Sequence, residues 1–246
     1  YDFDPYAFPK LPRHCQAWFA EASRMGKVPG PSVDLRSYEL NLREMVGSAE
    51  VPMNHYCPAL VRLIRYDRGD MKHWSEPKKR TRLRTILGQI QYQLRLAGWN
   101  ESNRWFKAEV LKNMGHVYRL MGDDVRAINN YKEAIETFPP YLPAYWEMAE
   151  VYESSDRLDS ALLTLRTALK HAKNNSYRGV IETRIEKLEE MAQGASEKDG
   201  KLRPDTENEE GAASEKTSMI PLDIRGPLVP VVISNPLSTL AQRNLA

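Results

Sequence analysis

Cysteine is nearly absent. Cys15 and Cys57 are the two in 246 residues, too few for a disulfide framework, and a reducing or organellar interior is the setting this favours. No apolar run approaches the ~20 residues needed to cross a bilayer. The opening YDFDPYAFPK lacks the basic start and apolar stretch of a secretory leader. The first residue is Tyr, so a preceding segment, with any targeting signal, is expected to be missing or removed. A phosphate-cradling glycine loop, a paired-histidine zinc motif and a nucleophile elbow are all lacking. His14, Cys15, His55 and Cys57 could offer four zinc ligands from two loops. The wide gap between them and the lack of a close cysteine pair favour ordinary buried cysteines instead. The expectation is a non-catalytic chain with no cofactor, no metal and no small-molecule substrate.

Charge is present in both signs but unevenly placed. The formal net charge is +2. Residues 1–105 carry 17 Lys+Arg against 11 Asp+Glu, a net of +6, whereas 106–193 and 194–246 each contribute −2. The first part is therefore the candidate for an anionic partner.

The strongest regularity is internal. Leu111, Met114, Gly115, Tyr118, Ala127, Tyr131, Ala134 and Pro139 recur as Tyr145, Met148, Ala149, Tyr152, Ala161, Leu165, Ala168 and Lys173, always 34 residues on. A fixed period of that length, small residues alternating with large ones, marks a helix-turn-helix solenoid. The stretch Ala108–Lys173 resembles the tetratricopeptide repeat family, with Gly115, Gly122, Ala127, Ala134 and Pro139 of the first unit in family positions. In the second unit Ala149 and Lys173 depart from that pattern. The resemblance implies antiparallel helix pairs over Ala108–Leu120 with Asp124–Thr137 and Pro143–Glu153 with Arg157–Lys173. A helix from Tyr177 to Gln193 would cover the exposed end. Arrays of this family bind proteins or peptides along a concave face.

That geometry points Glu109, Lys112, Asn113, His116 and Arg119 of unit one, and Trp146, Glu147, Glu150 and Glu153 of unit two, into the groove. The family's clamp for a peptide carboxylate needs cations and amides here; Lys112 matches one and His116, Trp146, Glu147 and Glu150 do not. Three glutamates beside a tryptophan suit a basic or amphipathic segment better; the bland reading is a solvated acidic face.

Before the repeats, residues 1–12 hold four aromatics and three prolines and are expected to form an extended arm lying on some surface. Residues 13–105 read as a basic helical region. Helices are expected over Arg13–Met25, with Gln16 turned away from the apolar face, over Asp34–Val46, and from Pro58 onward. Arg62, Arg65 and Arg68 form a row on the last, read as a solvated face or a phosphate contact. Pro77 opens another helix that runs to Gly98. It places Lys78, Lys79, Arg80, Arg82 and Arg84 in its first turns, where the helix dipole disfavours cations. The readings are a solvated helix end, contact with RNA phosphate or an acidic protein, and a nuclear localisation signal. No aromatic is interleaved, so RNA contact would not read bases.

Residues 194–218 are expected to be a disordered linker, rich in Glu, Ser, Gly and Lys. Residues 219–246 form an apolar arm interrupted by four prolines, expected to be extended and either to dock on a partner or to fold back. Together these point to an all-α solenoid with an irregular helical N-terminal region and extended terminal arms. The function expected is a scaffold or adaptor among the protein subunits of a larger assembly. A ribonucleoprotein is one setting, an organellar ribosome included. A free-standing cochaperone or transport adaptor is the alternative. An intracellular site follows, mitochondrial or another organelle favoured and the nucleus open.

Overall fold

The computed structural model describes residues 4–26, 46–47, 53–173 and 177–200. Residues Tyr1–Arg203 form one compact unit. The second unit, Pro204–Ala246, lies outside the described residues, as do most of the expected Asp34–Val46 helix and the apolar C-terminal arm. Every regular element among the described residues is helical.

The N-terminal segment is folded where an extended arm was expected. The Asp4 carboxylate accepts the N–H groups of Tyr6 and Ala7 at 2.9 and 3.2 Å, and a 3-10 turn follows at Phe8–Lys10 with Phe8 buried. Helix α1, Arg13–Arg24, begins after Pro12. Gln16 points inward instead of outward: its amide donates to the carbonyls of Phe8 and Leu11 at 3.2 and 2.9 Å. The Phe8 carbonyl also accepts the Leu11 N–H at 3.1 Å, whereas the Leu11 carbonyl relies on the Gln16 amide, and an unpaired buried carbonyl is costly. Met25, the last residue of the expected helix, is 54% exposed.

Helix α2, Met53–Asp67, starts a turn and a half ahead of Pro58. The proline deprives only the carbonyl of Asn54, an exposed residue that water reaches. The two cysteines are joined. Cys15 of α1 and Cys57 of α2 form a disulfide with Cα atoms 5.3 Å apart, which corrects the expectation of a reduced pair. Cysteine number says nothing of proximity, and the packing of α1 on α2 brings the thiols together.

Helix α3, Glu76–Leu96, has Pro77 in its first turn as expected and buries Leu83, Ile86, Leu87 and Ile90. The chain then turns through Asn100, whose side chain accepts from Ser102 N–H while Asn103 reciprocates, a capping box.

The repeats follow: α4 Arg104–Leu120, α5 Asp124–Thr137, α6 Leu142–Ser154 and α7 Leu158–His171. Small residues lie where helices meet, with Ala127, Ala134, Ala149, Ala161 and Ala168 fully buried. Gly122 closes the α4–α5 turn at φ +77°; Asp156, 34 residues on, holds the left-handed position at φ +55°. Helix α8, Tyr177–Gly200, covers the end of α7 with Ile181, Ile185 and Leu188. It runs past Gln193 into the stretch read from composition as linker.

Candidate protein-binding groove

The concave side is built from α4 and α6, with α2 and α8 at either end. Lys112, His116 and Arg119 of α4 are four and three residues apart and so share one face. Across from them stand the glutamates of α6. Lys112 pairs with Glu147 at 3.2 Å, and His116 bridges Glu147 at 3.1 Å and Asp67 of α2 at 3.0 Å. Arg119 grips Glu150, which also accepts the Trp146 indole N–H at 2.8 Å. Arg184 of α8 holds Glu153 at 2.7 Å and lies 4.0 Å over the Trp146 ring. Of the nine residues expected to line a groove, Lys112, His116, Arg119, Trp146, Glu147 and Glu150 are thus brought together as partners of one another, and Glu153 is held by Arg184. The glutamates are largely neutralised by Lys112, His116, Arg119 and Arg184.

These contacts set the titration of the face. Burial opposes charge on His116, but hydrogen bonds to Asp67 and Glu147 outweigh it and raise the imidazole to about 9. Burial would lift Glu147, yet Lys112 and His116 draw its carboxyl down to about 2.

Below this layer sits a buried polar cluster that periodicity did not reveal. Tyr56 O–H donates to Glu109 Oε1 at 2.8 Å and accepts from the Asn113 amide at 2.7 Å. The His14 ring reaches the same carboxylate oxygen at 3.2 Å. Glu109 is buried, which favours protonation, but His14 and the Tyr56 hydroxyl hold its pKa below the ordinary carboxylate value. Each disulfide cysteine adjoins a member of this cluster, His14 before Cys15 and Tyr56 before Cys57. The bridge and the hydrogen bonds therefore fasten the N-terminal region to α4 at one place.

One consequence is that unit one's groove face is roofed by the chain itself. Lys10, Pro12, Leu60, Leu63 and Ile64 close over Lys112, Asn113 and His116 around a cleft of about 270 Å³. Unit two's half is open. Two clefts of about 210 and 630 Å³ meet at Trp146 and share Val180. Tyr177, Val180 and Met191 line them at 56%, 52% and 50% exposure. The apolar arc of helix α8 is continuous: Ile181, Ile185 and Leu188 are buried, Tyr177, Val180 and Met191 beside them are exposed, and Ile181 and Leu188 also line the clefts.

The basic cluster occupies the first turns of α3, as its spacing implied. Lys79 pairs with Glu76 at 2.7 Å, while Lys78 and Arg82 lie 4.3 and 5.5 Å from the ring of Trp74. An aromatic is therefore present after all, supplied by the preceding turn. The arginine row on α2 is engaged internally, Arg62 with Gln89 at 2.7 Å, Arg68 with Asp4 at 3.0 Å and Arg65 with Asp70 at 3.4 Å.

Among the described residues no three His, Cys, Asp or Glu side chains are grouped to hold a metal, and no helix is long and apolar enough to cross a membrane. Residues 119–181 match the family model described as tetratricopeptide repeat. The helix pairs are tetratricopeptide repeats, and the module is one for protein interaction. A curated protein, "Photosystem I assembly protein Ycf3" of Prochlorococcus marinus (strain NATL2A), is 38% identical over 58 residues. The match spans 24% of this chain and 34% of that protein, so the chain corresponds to about a third of its relative's length.

Proposed function

We propose that this protein is a non-catalytic adaptor that holds an amphipathic segment of a partner in the open half of its groove, within a multi-subunit assembly. The observation that carries this is the placement of Tyr177, Val180 and Met191, each at least half exposed, around Trp146. Large apolar side chains grouped on a concave face are a recognition signal, and an aromatic at the centre is the usual anchor. The relative's name speaks of assembly of photosystem I, and assembly of a large complex is the role this reading extends to the present chain. Glu147, Glu150 and Glu153 contribute shape and hydrogen-bond acceptors more than net charge, because each already holds a cation.

The test is tagged isolation of the full chain beside a Val180→Asp, Met191→Asp variant, with proteins identified by mass spectrometry. A defined set of proteins lost from the variant is expected; an identical set from both would refute the groove. A ribonucleoprotein, such as an organellar ribosome, is the setting the basic N-terminal region supports, and co-isolation of RNA sensitive to RNase checks it. The competing reading, a free-standing cochaperone, is weakened by the pairing of Lys112 with Glu147, since a carboxylate clamp requires unpaired cations. Isolation of a monomer with one peptide ligand would restore it. The Cys15–Cys57 bond favours a compartment where thiols oxidise.

A further inference from the structure

We infer that the outward face of α3 is a docking surface for the phosphate backbone of RNA, read without base contacts. The inference rests on the ribonucleoprotein setting proposed above and assigns its RNA contact to one helix. From Glu76 to Leu96 the helix carries six Lys and Arg against the single carboxylate of Glu76. Lys79 belongs to that carboxylate. For Lys78, Arg80, Arg82, Arg84 and Arg95 no carboxylate lies within ion-pair distance among the described residues.

At 3.6 residues per turn these five fall into two rows. Lys78 and Arg82 stand on one flank, both stacked on Trp74. Arg80, Arg84 and Arg95 stand on the other. Between the rows run Thr81, Thr85 and Gly88, all exposed, with open space around Gly88. The threonine hydroxyls donate back to the carbonyls of Pro77 and Thr81 at 2.9 and 3.0 Å, so the strip between the rows is low and already satisfied. From Lys78 to Arg95 the rows extend about 26 Å.

The chemistry of this face selects among polyanions. A lipid surface requires large apolar residues beside the cations, but the apolar side of α3 is in the core and its one exposed large hydrophobic, Leu96, is the last residue. A protein partner requires a pocket or an apolar anchor, and the strip offers threonine and glycine. A phosphodiester chain requires only spaced cations that release counterions. Trp74 is covered by two cations and is not a free stacking platform, so no base preference is built in.

The experiment is fluorescence anisotropy of the full chain with two 20-nucleotide single-stranded RNAs of unrelated sequence over a salt series. Both RNAs should bind with similar affinity. Replacing Lys78, Arg80, Arg82, Arg84 and Arg95 by Gln should abolish binding at moderate salt, reducing the log–log salt slope by about 3.5, with the melting curve by circular dichroism unchanged. Gln at Lys132, Lys170 and Lys173 should leave it intact. If the wild type binds RNA and the five-residue variant binds equally, this surface is wrong and the ribonucleoprotein setting survives. If the wild type binds neither RNA, both fail. Tighter binding to polyglutamate or to phosphatidylserine vesicles than to RNA would also overturn the assignment.

Discussion

Gly115 turns its bare Cα toward the ring of Tyr131: a methyl group there would stand 2.6 Å from Cε1. Unit two solves the same crossing with Ala149 and Leu165, both buried. The repeat thus tolerates a methyl on one helix when the opposing side chain is narrower than a phenol.

Gly115→Ala alone should therefore destabilise by about 1–3 kcal/mol through overpacking. Adding Tyr131→Leu should recover much of that loss, leaving about 1 kcal/mol for the lost Tyr131–Glu147 hydrogen bond (2.9 Å). Urea unfolding of the four variants in a double-mutant cycle measures the coupling. Additive effects would show that the glycine has another reason to be there.

A second comparison between units concerns the inter-helix turn. Gly122 adopts φ +77° without strain, while Asp156 holds φ +55° with a Cβ. Asp156→Gly should raise stability by up to about 1 kcal/mol, and Gly122→Ala should lower it by about 1–2 kcal/mol. Thermal melts in the same buffer decide the sign of each.

The disulfide closes a loop between residues 15 and 57, a sequence separation of 42. Chain-entropy reasoning gives up to about 4 kcal/mol from such a closure. Replacing both cysteines by Ala should lower the unfolding free energy by about 2–4 kcal/mol. Hydrogen exchange should quicken first in α1, whose attachment to α2 the bond secures, and least in α6 and α7.

Stability should also fall at alkaline pH through one imidazole. His116 is raised from 6.5 to about 9 in the folded protein. Its contribution is complete below pH 6.5 and disappears as pH rises through about 9, on the order of 3 kcal/mol in all. His116→Gln should flatten the profile between pH 6.5 and 9.5. Glu147, drawn to about 2, acts in the opposite direction: its stabilisation is present above pH 4.5 and is lost as pH falls toward 2. Denaturant midpoints across both ranges separate the two groups.

Much of the solenoid was legible because each repeat is specified locally. The 34-residue recurrence places Gly115, Ala127 and Ala134 at helix crossings, and Gly122 marks a turn that only a left-handed residue can make. Relations among distant elements were not legible. Asp67 and His116 meet across 49 residues of chain, and no local period records that. Gln16 was misplaced for a related reason. A polar residue at the margin of a helix face turns inward when neighbouring carbonyls require a donor, and those carbonyls exist only once Phe8–Lys10 has turned.

Because the cations and carboxylates of the groove already satisfy one another, a ligand approaching it meets little net field. Its arrival should proceed at the unsteered rate, about 10⁵–10⁶ M⁻¹s⁻¹, and selectivity should reside in how long it stays. A surface whose charges are unpaired, such as the outer side of α3, obeys the reverse rule, capturing quickly at low ionic strength and releasing as salt rises. One molecule carrying both kinds of surface would let an ionic-strength gradient detach one neighbour while the other remains bound.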